Sequence, residues 1–229
     1  MKKKSKRFNK LKDVFPEKKM DTIEKLIPMV KKTSNAKFDE SIDLSMRLNL
    51  NQSKTETNIR TIVNLPYGLG KKIKVAVICE ENKTDEAKNS GADLFGSDDL
   101  IAKISKGEIN FDKVLATSGM MAKVGKLGKV LGPKGLMPNP KLGTVTNNLK
   151  SSVQALKTGQ IEIKSDKDGN LATSIGKKSF PDEKLIKNFE AILEVLFKEK
   201  PDGIKGHFVL SSFLTSTMGI SYKLKFKGI

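Results

Sequence analysis

Cysteine and histidine are nearly missing from this chain. Its one cysteine, Cys79, cannot close an internal disulfide, and it lies in "VAVIC", an apolar run that reads as a buried strand. A small buried thiol in a reducing compartment is the expectation. The one histidine, His207, falls in an expected strand, where a structural imidazole is expected rather than a general base. A single Cys and a single His cannot assemble a zinc site, which takes three or four such ligands. No apolar run reaches the roughly 18 residues that cross a bilayer, so no transmembrane helix is expected. The start, "MKKKSKRFNKLK", is basic but leads into no apolar core, so no secretory signal is expected either. A basic amphipathic helix with exposed apolar residues, which a membrane surface would want, does not stand out.

Phosphate-binding loops are missing too. Neither GxGxxG after a strand nor GxxxxGK[ST] occurs, and "GLGKK" at 68–72 precedes a strand where a phosphate loop would precede a helix. The pair Asp98–Asp99 opens an expected helix, where the helix dipole accounts for it better than glycosidase chemistry does. "SDKDG" lacks the ladder of a calcium loop. A nucleotide-dependent enzyme therefore has no recognisable machinery here, and no cofactor is expected.

Arginine is scarce in a chain that is otherwise strongly basic. Arg7, Arg47 and Arg60 stand against forty lysines, and 43 basic residues against 26 acidic ones give a net charge of +17. Such a surface attracts polyanions, by counterion release where the polyanion is nucleic acid. Lysine is a point charge suited to phosphate, whereas the arginine fork reads guanine edges in duplex DNA. RNA recognised by shape, backbone and exposed bases fits this balance better. A general polyanion binder without sequence choice is the competing reading.

The 229 residues, 37% of them hydrophobic, allow one large or two modest domains. Ile23, Leu26, Ile27 and Val30 keep helical spacing. In "FDESIDLSMRLNL", Ile42, Leu44, Met46, Leu48 and Leu50 alternate with polar residues as in a half-buried strand, and "NIRTIVNLP" is a second strand stopped by Pro66. The style then changes. "KIKVAVICE" is a continuous apolar strand of the parallel kind, followed by helices in "TDEAKNSGAD" and "SDDLIAKISKG", a strand in "FDKVLATS" and a helix in "TNNLKSSVQALKTG". From Gln160 the antiparallel style returns. "QIEIKSDKDGNLATSIG" reads as a hairpin around Asp168-Gly169, and "PDEKLIKNFEAILEVLFKEKPDG" as a long helix with Leu185, Phe189, Ile192, Leu193 and Leu196 on one face. "HFVLSSFLTSTMGISYKLKFKGI" is strand, break, strand, its tail alternating Tyr222, Leu224 and Phe226 with lysines. The outer pieces need each other's strands. The expected fold is α/β and α+β: a split α+β domain with an antiparallel sheet from residues 1–66 and 160–229, and an inserted Rossmann-like α/β domain over 67–159.

The charge divides unevenly within the insert. Residues 67–159 hold 15 lysines and 9 acids, a net +6, and all the acids lie before residue 113. The acid-free half contains "LGPKGLMPNPKLGTVT" (Leu131–Thr146), with three prolines, three glycines, Lys134 and Lys141. Proline fixes φ and glycine reaches φ > 0, so this is a stiff basic loop, neither helix nor central strand.

That sixteen-residue stretch resembles the signature of the large-subunit ribosomal protein one family, the stalk proteins, in its bacterial type. "AKFDESIDL", "LPYGLGKK", "GADLFGSDDLIAKI", "FDKVLATSGMM", "GQIEIKSDKDG" and "TSTMG" extend the resemblance along essentially the whole chain. The resemblance implies a two-domain, non-enzymatic protein that binds large-subunit ribosomal RNA at the mobile stalk beside the tRNA exit site. It implies movement with exiting deacylated tRNA, help in its release, and, in bacterial members, repression of the protein's own messenger RNA. It implies a cytoplasmic, ribosome-associated protein, a monomer within the ribosome. Carried over by motif, the main RNA contacts are Lys37, Phe38, Glu40 and Ser41, then Ser211, Thr215, Thr217, Met218 and Gly219, with Asp166 in the hairpin loop. Where the family commonly has arginine after the signature's first proline, this chain has Lys134, which suits a phosphate contact but not a fork. Two sites stay open. Phe38 is either a stacking ring or a core residue, and the signature loop either presents Lys134 and Lys141 as a weaker RNA contact or is a rigid connection. Gly219 is equally compatible with a plain turn.

Overall fold

The computed structural model describes residues 5–14, 21–50, 59–201, 204 and 206–225, so Phe226 of the alternating tail lies outside the described residues. In chain order the elements are α1 (Lys6–Val14), α2 (Ile23–Thr33), β1 (Ser41–Leu48), β2 (Arg60–Asn64), β3 (Val75–Ile78), α3 (Thr84–Asn89), β4 (Leu94–Gly96), α4 (Asp98–Ser105), β5 (Lys113–Ala116), α5 (Met121–Gly125), α6 (Gly128–Leu131), α7 (Leu149–Thr158), β6 (Gln160–Lys164), β7 (Asn170–Lys177), α8 (Asp182–Lys198), β8 (Val209–Ser216) and β9 (Tyr222–Lys223). The chain divides into two compact units, residues 1–70 with 162–229, and residues 71–161.

The first unit is built on an antiparallel sheet in the order β7-β1-β8-β9, so its strands come from both ends of the chain. The alternation along β1 decides which face is covered. Ile42, Leu44, Met46 and Leu48 are buried, while the polar residues between them are half-buried or exposed. The covered face packs against α2, through Leu26, Ile27 and Val30, and against α8, through Leu185, Phe189, Ile192 and Leu196. Leu193, expected on that face, is half-buried, and Leu50 falls just past the end of β1. Asn188, on the buried side of α8, donates through Nδ2 to the Gly68 carbonyl (3.0 Å) and the Ile175 carbonyl (2.9 Å), and its Oδ1 accepts from the Tyr67 N–H (3.2 Å).

The expected hairpin around Asp168-Gly169 needs correcting. A tight turn is present, but β6 pairs with β2 and β7 pairs with β1, in different sheets, joined only by a bridge between Ser165 and Leu171. The turn is set by close approach. Gly169 has φ 77°, and a Cβ there would lie 2.5 Å from the Leu48 carbonyl oxygen. Local turn chemistry in the sequence could not reveal that a more distant strand takes each partner's place.

The second unit is a parallel sheet, β4-β3-β5, covered on both faces. Ala76 and Ile78 of β3 join Leu100, Ile104, Val124 and Leu131 on one side. Val75, Val77 and Cys79 join Ala87, Leu149, Val153 and Leu156 on the other. Burial on both faces is why β3 reads as an unbroken apolar run. The edge strand β4 and the short helices α5 and α6 are too brief for periodicity to mark. No described helix is long and apolar enough to cross a membrane.

Candidate nucleic-acid interface

Two clusters of the motif-derived residues form at opposite ends of the four-stranded sheet. Lys37 and Phe38 stand on the bend before β1, and Thr217, Met218 and Gly219 form the turn after β8. Because β1 and β8 run antiparallel, the start of one meets the end of the other. The Thr217 N–H donates to the Ser41 carbonyl at 3.1 Å, and the Ser41 N–H donates to the Thr217 hydroxyl oxygen at 3.0 Å. Phe38 is 54% exposed and Met218 is 51% exposed, so neither is a core residue. Two large apolar side chains and an exposed lysine therefore project from one corner of the first unit.

Glu40 does not project with them. It is fully buried, and its carboxylate accepts from the Ala36 N–H at 2.9 Å and from the Met218 N–H at 3.0 Å. Burial by itself would push this carboxyl up, but the N–H groups of Ala36 and Met218, then the Ser216 hydroxyl and last the charge of Arg7 outweigh it and hold Glu40 below the usual glutamate range. Its carboxylate is a clamp that orients the exposed corner from beneath. Arg7 completes it from α1, donating to Asn35 Oδ1 at 2.7 Å and to the Met218 carbonyl at 3.2 Å. Gly219 is explained by closeness and not by φ. A Cβ there would lie 2.2 Å from Oγ of the buried Ser216.

The second cluster lies across the uncovered face of the sheet. Thr215 pairs with Asp43 and Ser211 with Arg47, so the strands carry the face about 13 Å from one cluster to the other. Ser211 and Asp166 line an open depression of about 810 Å³. The Asp166 carboxylate accepts from Asn170 Nδ2 (3.0 Å), the Asn170 N–H (2.6 Å) and the Asp168 N–H (2.9 Å). The side-chain amide of Asn170 first, then these N–H groups, hold the Asp166 carboxyl below the usual range. Its charge is spent on shaping the turn.

Motif reasoning missed Arg47 and Phe213, which also line the depression. A signal was available for both. Arg47 is one of three arginines and occupies a polar position of an alternating strand, and Phe213 lies between Ser211 and Thr215 on the outward side of β8.

Lys134 and Lys141 belong to the second unit. Both are exposed, and neither side chain makes an ion pair or hydrogen bond among the described residues. The loop that carries them is pinned to β5. The Ala116 N–H donates to the Thr144 carbonyl and the Thr146 N–H to the Ala116 carbonyl, each at 3.0 Å. Asn139 Oδ1 accepts from the Lys141 N–H at 2.9 Å, and Leu142 is buried. The loop is thus held to β5 by its backbone while both lysines stay exposed. Among the described residues, no group of three or more His, Cys, Asp or Glu side chains could hold a metal ion.

Residues 30–220 match the Ribosomal protein L1p/L10e family. A protein of Pelagibacter ubique (strain HTCC1062) named large ribosomal subunit protein uL1 is 57% identical over 222 residues, covering 96% of this chain and 97% of its own. Proteins of the same name from Kosmotoga olearia and Fervidobacterium nodosum are 45% and 42% identical, each over 98% of this chain and over 97% and 96% of their own. With a match over most of its length and relatives that are structural proteins of the large ribosomal subunit and not enzymes, the chain belongs to the ribosomal protein L1 family.

Proposed function

We propose that this protein binds large-subunit ribosomal RNA at the mobile stalk beside the tRNA exit site, moves with the exiting deacylated tRNA and assists its release. The same surface binds a similar fold in the protein's own messenger RNA and represses its translation. The split unit is the RNA-binding domain, a monomer within the ribosome of the cytoplasm. Lys37, Phe38, Glu40, Ser41, Thr215, Thr217, Met218 and Gly219 form its main contact, Glu40 from beneath, with Ser211 and Asp166 at the far end. Lys134 and Lys141 of the insert supply a weaker phosphate contact.

The observation that carries this reading is the exposed corner of Phe38 and Met218 over a buried clamp. An uncharged, rigid, half-apolar surface beside Lys37 offers shape and backbone recognition of RNA, which lysine–phosphate attraction alone does not. The test is competition at physiological salt between a labelled stalk RNA fragment and an excess of bulk ribosomal RNA, followed by footprinting on total ribosomal RNA. Retention of the stalk fragment, with protection confined to the stalk, supports the reading. Displacement in proportion to RNA mass makes the protein a general polyanion binder instead.

A further inference from the structure

We infer that the depression on the open face of the sheet holds a nucleotide turned out of the RNA helix, with Phe213 as the stacking platform for its base and Arg47 as the partner of its phosphate. The inference rests on the RNA-binding reading above and names what that surface takes. Strand register builds the floor. Phe213 faces Ser45 across the β1–β8 ladder, and Arg47 stands between Ser211 of β8 and Asn170 of β7. Towards β1 and β7 the neighbours Ser45 and Ala172 are small, as is Ser211 on the same strand, while Lys223 of β9 stands opposite Phe213 on the other side, and the ring is 37% exposed. An exposed aromatic ring with small residues on one side and a lysine on the other is the geometry of a stacking site beside a phosphate.

The charges complete it. Arg7 is tied to Asn35 and Met218, and Arg60 is paired with Glu162. Arg47 alone of the three arginines makes no hydrogen bond or ion pair among the described residues, and it is exposed at the depression. Lys164 and Lys167 line the same depression and have no ion pair among the described residues. The one acid there, Asp166, has its carboxylate engaged by Asn170 and the turn. A planar guanidinium beside a flat ring suits a phosphate joined to a base, and about 810 Å³ lies within the roughly 300–1,000 Å³ of small-molecule sites. A base paired inside an A-form helix cannot reach a ring at the level of the sheet, so the bound nucleotide is an unstacked one.

The experiment uses the full chain and the stalk RNA fragment, with 2-aminopurine placed in turn at each unpaired position. One position is expected to change its fluorescence on binding. Phe213→Ala should abolish that change and weaken binding roughly 5- to 100-fold, the range for losing one stacked base, while Phe213→Tyr retains both. Arg47→Ala, which touches no packing, should weaken binding and flatten the salt dependence, and it serves if Phe213→Ala folds poorly. If Phe213→Ala and Arg47→Ala bind like the wild type while Thr217→Ala binds weakly, the nucleotide site is wrong and the RNA-binding reading stands. If none of the three variants differs from the wild type, the RNA-binding reading itself falls, and the nucleotide site with it.

Discussion

The backbone N–H of Met218 donates to the buried carboxylate of Glu40 at 3.0 Å, across 178 positions of sequence. The first residues of β1 and the turn after β8 are thereby locked into one corner, from which the Met218 side chain projects. The clamp separates two roles that a motif cannot separate. Glu40 holds the corner, and the Met218 side chain is exposed on it.

Replacing the carboxylate tests the clamp. In Glu40→Gln one oxygen becomes an amide that cannot accept from both the Ala36 and Met218 N–H groups. A stability loss of about 1–3 kcal/mol is expected, the cost of a buried donor left unmatched. The pH dependence gives the sign. The folded state holds the Glu40 carboxyl below its usual range, so its contribution is fully present above the unfolded pKa and is lost as pH falls through the depressed folded value. Urea midpoints should therefore converge for wild type and Glu40→Gln at acid pH and diverge towards neutrality. Parallel curves would remove the charge from the account.

Asn188 ties α8 to Gly68 and to β7 through three hydrogen bonds. Asn188→Leu keeps a similar size but strands two carbonyls and an N–H in a buried place. The expected cost is about 2–4 kcal/mol, read by equilibrium denaturation with an unchanged m-value.

The signature loop makes a separate prediction about charge. Lys134→Ala with Lys141→Ala should weaken RNA binding modestly and lower the log–log salt slope by about 0.7–0.9 for each phosphate that is no longer neutralised. Folding stability should hardly change, because the loop is pinned by Thr144, Thr146 and Asn139 and not by these side chains. An unchanged slope would leave the loop a connector only.

Much of this architecture was legible in the sequence where burial imposes a period. β1 alternates because one face is covered, and β3 is a solid apolar run because both faces are. The pairing of β6 with β2 was not legible, since the Asp168-Gly169 turn looks the same whether its flanking strands pair or part. The candidate site could be read only as a motif, which cannot tell a buried Glu40 from an exposed Phe38. Arg47 and Phe213 went unread because neither stands in a short motif, and only register brings them to one face.

The central claim is that uncharged side chains on the exposed corner recognise the RNA, and the most direct measurement pairs titration with unfolding on Met218→Ala. The side chain is 51% exposed, so the folding free energy should stay within about 0.5 kcal/mol of wild type. Affinity for the stalk RNA fragment should fall by about 1–3 kcal/mol, with the salt slope and the binding of unrelated RNA unchanged. Unaltered affinity of the folded protein for the stalk fragment would contradict the account.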